Sequence, residues 1–145
     1  MREKPLGRGQ DLAGVLAGFT LFADLSRPQL EAATHTFEEL WFTEGQRILR
    51  QGFSQPDFFV IIEGEAAVRI AGEERARLSR GDFFGEISVL LGDVPSADVV
   101  ALTSLRCLRL SGDQVHRFLM MFPAVMYRML EAVAGRLRDT LQWQT

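Results

Sequence analysis

Apolar positions along the chain change their spacing twice. Leu12, Val15, Leu16, Phe19 and Leu21-Phe22 recur at roughly helical intervals, which predicts a helix of two or three turns ending near Gly18. Asp24-Leu-Ser26-Arg-Pro28 then predicts a second helix start: Ser26 can cap, Pro28 suits the first turn, and Glu31 is expected in that turn. This helix is expected to run through Leu30, Ala33 and Thr34 to about Thr36. From Phe37 the period shortens. Phe37-Leu40-Phe42, Ile48-Leu49, Phe58 to Ile62, Ala66-Val68-Ile70 and Leu78 read as short strands separated by glycine pairs such as Glu44-Gly45, Glu63-Gly64 and Ala71-Gly72. Two more strands are expected from Ala97 to Thr103 and from Leu105 to Leu110, with Leu105, Cys107 (or Leu108) and Leu110 facing inward. About eight short strands with glycine turns predict a sandwich or barrel and not alternating βαβ units.

Helical spacing returns at Ser111, with Asp113 in the first turn and Val115, Phe118, Leu119 and Phe122 as the apolar set. Pro123 opens a last helix. There Met126, Leu130, Val133, Leu137 and Leu141 form one stripe, expected to pack into the core, while Val125, Met129, Ala132 and Arg136 form a second, partly apolar face. The expected organisation is one domain over 1–145: residues 1–10 disordered, 11–36 helical, 37–111 a β-roll, and 112–142 helical.

Composition narrows the class without naming a function. At 145 residues with 47% hydrophobic and 24% charged positions, the chain can bury one full core, and it is too apolar to be a disordered segment. The net charge of −3 argues against a module that grips nucleic-acid phosphates, so no nucleic-acid partner is expected. A single cysteine, Cys107, allows no internal disulfide and no Cys-x-x-Cys metal pattern, and reads as a small buried hydrophobe. His35 and His116 have no second histidine or carboxylate at ligand spacing and read as surface or packing residues, so no metal and no cofactor are expected. The apolar stretch Leu12 to Phe22 is interrupted by Gly14, Gly18 and Thr20. It is too short to span a bilayer and too weak for a signal peptide, which predicts a cytoplasmic domain with no membrane insertion. With no Gly-x-Ser-x-Gly, no phosphate loop with lysine and no Cys–His pair, the chain is not expected to be an enzyme.

Three stretches carry more specific information: Phe42-Thr-Glu-Gly45-Gln-Arg-Ile48-Leu-Arg-Gln-Gly52, Asp57-Phe-Phe-Val-Ile-Ile-Glu-Gly64, and Gly81-Asp82-Phe-Phe-Gly85-Glu86-Ile-Ser88. Together they resemble the cyclic nucleotide-binding domain family, of the type found in catabolite activators and kinase regulatory subunits. The resemblance runs from about Leu16 to Leu141. It implies a mainly β fold, an eight-stranded jelly-roll β-roll with N-terminal helices and two C-terminal helices. It also implies a phosphate-binding cassette over 84–98 that would take a small anionic ligand, cAMP or cGMP in the family. Carried over by position, Gly85 would let the backbone approach the ribose and Glu86 would accept a hydrogen bond from the 2′-hydroxyl. Ile87 and Ser88 would offer backbone amides to the phosphate. Pro95, Ser96 and Ala97 would complete the site.

One position departs from the family pattern. Without gaps from Glu86, the cassette arginine that makes a charge-assisted contact to the phosphate falls on Pro95, and Asp98 stands where a hydroxylic residue is usual. Proline offers neither a charge nor an N–H. Gly81 to Leu105 contains no basic residue; Arg77, Arg80 and Arg106 lie near neighbouring strands with their direction open. Two readings follow. In one, a ligand-sensing regulatory domain transmits occupancy through its C-terminal helices to an unidentified effector protein. In the other, a non-ligand-binding β-roll serves dimerisation or docking. A homodimer through the last helix is common in the family, and Leu119-Met-Met-Phe122 is an apolar joint where ligand-driven movement would occur. Glu86 as a solvated loop carboxylate, Ser88 and Ser96 as turn or cap residues, and Pro95 as the relic of a decayed site stay open as plainer readings.

Overall fold

The computed structural model describes residues 11–143; the expected disorder of residues 1–10 lies outside them. Helix α1 spans Leu12–Ala17, less than two full turns, and Thr20–Phe22 forms a 3-10 turn before helix α2, Arg27–Thr34. Ser26 caps α2 in a reciprocal capping box with Gln29. Glu31 falls beyond the first turn and instead pairs with Arg27 one turn back, and the helix stops two residues short of Thr36.

Eight strands follow: β1 Glu38–Phe42, β2 Arg47–Leu49, β3 Asp57–Glu63, β4 Ala66–Ile70, β5 Glu73–Leu78, β6 Phe83–Phe84, β7 Asp98–Ala101 and β8 Leu105–Ser111. Helix α3, Glu86–Leu91, sits between β6 and β7; α4, Gly112–Met121, and α5, Pro123–Trp143, close the chain. The strands form two four-stranded antiparallel sheets, ordered β1-β8-β3-β6 and β2-β7-β4-β5. Ala71 and Gly72 both take positive φ (53° and 81°), so β4 and β5 are joined by a two-residue turn whose twist matches the strands.

The first sheet is covered on both faces, which is why β3 reads as the unbroken run Phe58-Phe59-Val60-Ile61-Ile62. Phe59 and Ile61 point into the roll with Leu40, Phe42, Leu105 and Cys107. Phe58, Val60 and Ile62 face the helices with Phe22, Leu108, Leu110 and Phe118. Leu105 and Leu110 therefore face opposite sides, because five residues along a strand reverse the direction. Inward-facing Cys107 is fully buried, and burial pushes its thiol well above the usual range.

The last helix corrects the expected faces. Val125 and Met129 are buried, with Ala132 and Val133 packed against the same core, whereas Met126, Leu130, Leu137 and Leu141 lie on the surface. Helix α4 ends at Met121 and α5 leaves it at 113°, with Phe122 buried at the corner. That sharp bend turns the other stripe of α5 toward the body. Asp24 grips Arg128 through two hydrogen bonds of 2.6 and 3.0 Å, tying α5 to the turn before α2. No single helix among the described residues is long and apolar enough to cross a membrane.

Candidate functional site: the cavity under the last helix

The mouth of the roll holds a cavity of about 230 Å3, and its lining includes all seven of the candidate ligand residues. They arrive on two limbs. Gly85, Glu86, Ile87 and Ser88 belong to the β6–α3 limb, while Pro95, Ser96 and Ala97 form the limb that leads into β7. The rest of the wall is mainly aliphatic and aromatic, with Val68, Leu78, Phe83 and Val99 among the contributors. Such a wall around a few convergent polar groups is the common form of a small-molecule site.

The first limb is built around a fixed backbone. Gly85 sits at φ 90°, and a Cβ there would collide with the carbonyl oxygen of Asp57 on β3. The chain itself therefore demands glycine at this position, before any ligand is considered. Helix α3 starts directly after it and ends at Gly92 (φ 68°), where the N–H of Asp93 reaches the Ser88 carbonyl in a Schellman-type closure. Ser88 is buried, with its hydroxyl donating to the Gly85 carbonyl at 3.4 Å.

Glu86 is no solvated carboxylate: its residue is only 4% exposed. Arg136 of α5 donates to both of its carboxylate oxygens at 3.2 and 3.4 Å. The same guanidinium donates to the Phe83 carbonyl at 3.1 Å and lies over the Phe83 ring, 4.5 Å from its centre. Burial nonetheless wins: it holds the Glu86 carboxyl above the usual glutamate range, and the pull of Arg136 offsets only part of that.

The second limb behaves differently. Pro95 is buried and presents an apolar ring to the cavity, while its carbonyl accepts from Gly52 N–H at 2.9 Å. The carboxylate of Asp98, which stands where a hydroxylic residue is usual in the family, accepts the Gln51 N–H at 2.7 Å, securing the loop after β2. None of the three nearby arginines lines the cavity. Arg77 pairs with Glu74, Arg80 donates to the Ile62 carbonyl, and Arg106 bridges Glu39 and Glu63 beside Trp41.

Arg136 is the residue that sequence reading missed as part of the site. Its signal was present: it shares a helical face with Val125, Met129 and Ala132, the face that turned out to be buried. His35 and His116 are both on the surface, away from the cavity lining.

Comparison with known proteins bears on the family and the fold. The family model for the cyclic nucleotide-binding domain matches residues 39–121, more than half of the chain. The cGMP-dependent protein kinase egl-4 of Caenorhabditis briggsae is 33% identical over 100 residues, which cover 65% of this chain and 13% of that kinase. The catabolite activator protein of Thermus thermophilus superposes with a TM-score of 0.78 at 26% identity, covering 86% of this chain and 61% of that one. The N-terminal domain of a transcriptional regulator from Streptomyces coelicolor A3(2) gives a TM-score of 0.66 at 28% identity, covering 88% of this chain and 92% of that one.

Proposed function

The chain belongs to the cyclic nucleotide-binding domain family, and on that footing we propose that it is a sensor whose ligand occupies the cavity and whose last helix reports the occupancy. One observation carries this reading: the Glu86–Arg136 pair joins the wall of the cavity to α5. In the family pattern the glutamate accepts a hydroxyl of the ligand's ribose. A ligand hydroxyl offered to Glu86 competes with the guanidinium for the same oxygens. Binding then loosens the grip on Arg136, and α5 shifts about the bend at Phe122. A ligand moves such an equilibrium only by its differential contact with the two arrangements, and this pair supplies one. The cavity supports an occupied pocket over a roll filled by its own side chains.

By family, cAMP and cGMP are the first ligands to test, and the reading takes the domain as regulatory and cytoplasmic, acting on another protein or domain. A second copy of the chain laid along Met126, Leu130, Leu137 and Leu141 would form the homodimer expected of α5. Sedimentation of wild type against Leu137→Glu tests that point, a monomer in the variant alone being the supporting result. For the sensor itself, thermal unfolding with millimolar cAMP or cGMP should show a raised midpoint, and Glu86→Ala should abolish the rise. No rise with either nucleotide sinks the cyclic-nucleotide form of the proposal.

A further inference from the structure

The cavity has the charge balance of a site for an uncharged ligand. Among the described residues its lining contains one basic side chain, Arg136, and that guanidinium already faces the Glu86 carboxylate. The pair is internally neutral. Pro95, buried in the cavity wall, stands at the sequence position where the family's arginine meets a phosphate, and no basic residue occurs between Gly81 and Leu105. The arginines on nearby strands are committed elsewhere, to Glu74, to the Ile62 carbonyl, and to Glu39 with Glu63.

A ligand with a phosphate would bring a second negative charge into this enclosure. If Arg136 turned to the phosphate, Glu86 would be left ionised without its partner; if it stayed, the phosphate would be left without one. Either arrangement buries an unpaired charge. A neutral ligand brings no second anion, and its hydroxyls donate to the Glu86 carboxylate as Arg136 loosens. We infer that the preferred ligand of this cavity is uncharged, with a hydroxyl pair for Glu86 and a flat apolar or aromatic body for the wall of Val68, Leu78 and Val99: a nucleoside-like molecule and not its cyclic phosphate.

This inference rests on the sensor reading above and narrows its ligand class from anionic to neutral. Calorimetric titration of the whole chain with adenosine, guanosine, cAMP and cGMP tests it, on wild type and on Pro95→Arg. In wild type at least one nucleoside should bind about tenfold or more tightly than its own cyclic phosphate, a typical worth for one charge-assisted contact. Pro95→Arg should raise the affinity of the cyclic phosphate relative to its own nucleoside about tenfold or more. A wild-type preference for the cyclic phosphate overturns the inference and leaves the sensor reading standing. Binding of none of the four overturns the sensor reading, and the inference with it. The wild-type comparison stands by itself should Pro95→Arg fail to fold.

Discussion

The two limbs of the cavity wall share a site but not a job. Phe83 to Ser88 carries a left-handed glycine wedged against β3, a buried carboxylate and a cation–carboxylate link to another helix. Val94 to Asp98 spends its polar groups on its neighbours: the Pro95 carbonyl and the Asp98 carboxylate both hold the loop after β2. In the proposed sensor the first limb answers the ligand and passes the answer on. The second is scaffold with an apolar face. Family likeness at a site can thus be stronger on one wall than on the other, and under the neutral-ligand inference the choice of ligand class falls to the weaker one.

The sharpest way to break this contrast is at Gly85. Gly85→Ala places a Cβ on the Asp57 carbonyl at a φ that disfavours side chains, and should cost about 3 kcal/mol or more in denaturant unfolding. Ser96→Ala on the exposed part of the other limb should stay within about 0.5 kcal/mol. Equal losses would erase the distinction.

Next in size is Arg136→Ala, which strands the Glu86 carboxylate. Breaking a buried pair costs roughly 3–5 kcal/mol, but Arg136 is 43% exposed, so about 2 kcal/mol is expected, measured by urea unfolding. Arg136→Ala with Glu86→Gln should recover much of that loss. Asp98→Asn, which weakens a single hydrogen bond on a half-buried strand, should cost about 1 kcal/mol.

The smallest effect is a pH dependence confined to the first limb. Burial raises the Glu86 carboxyl in the folded chain above its ordinary value of 4.5, so the folded state holds the proton more firmly than the unfolded state. Its favourable contribution is complete below the ordinary value and is lost as pH rises through the folded one. Wild type should therefore lose stability relative to Glu86→Gln as pH rises from 4.5, followed by thermal unfolding in matched buffers. A gap that does not change with pH would place Glu86 in a more solvated setting.

The sequence made the architecture readable because two periods were unambiguous. Glycine-punctuated short runs marked the strands, and both faces of β3 being covered explains its five consecutive apolar residues. The cassette residues were found because they are contiguous and resemble a known family. Arg136 was not, since it lies fifty residues beyond Glu86 and reaches it only through the 113° turn between α4 and α5, an angle that local spacing does not encode. The same angle turned the partly apolar face of α5 inward, where the pattern alone favoured the fully apolar stripe. The Asp98–Gln51 contact was equally illegible: a strand residue's partner on a neighbouring loop is set by tertiary packing.

The link between cavity and helix can be observed directly. In a chain labelled at arginine side chains and backbone amides, the Arg136 Nε–H resonance and the exchange protection of α5 can be followed by NMR through a titration with adenosine. Movement of the Arg136 signal and reduced protection along α5, both lost in Glu86→Gln, is the expected result. Saturable binding that leaves Arg136 and α5 unchanged would contradict a sensor that reports through this pair.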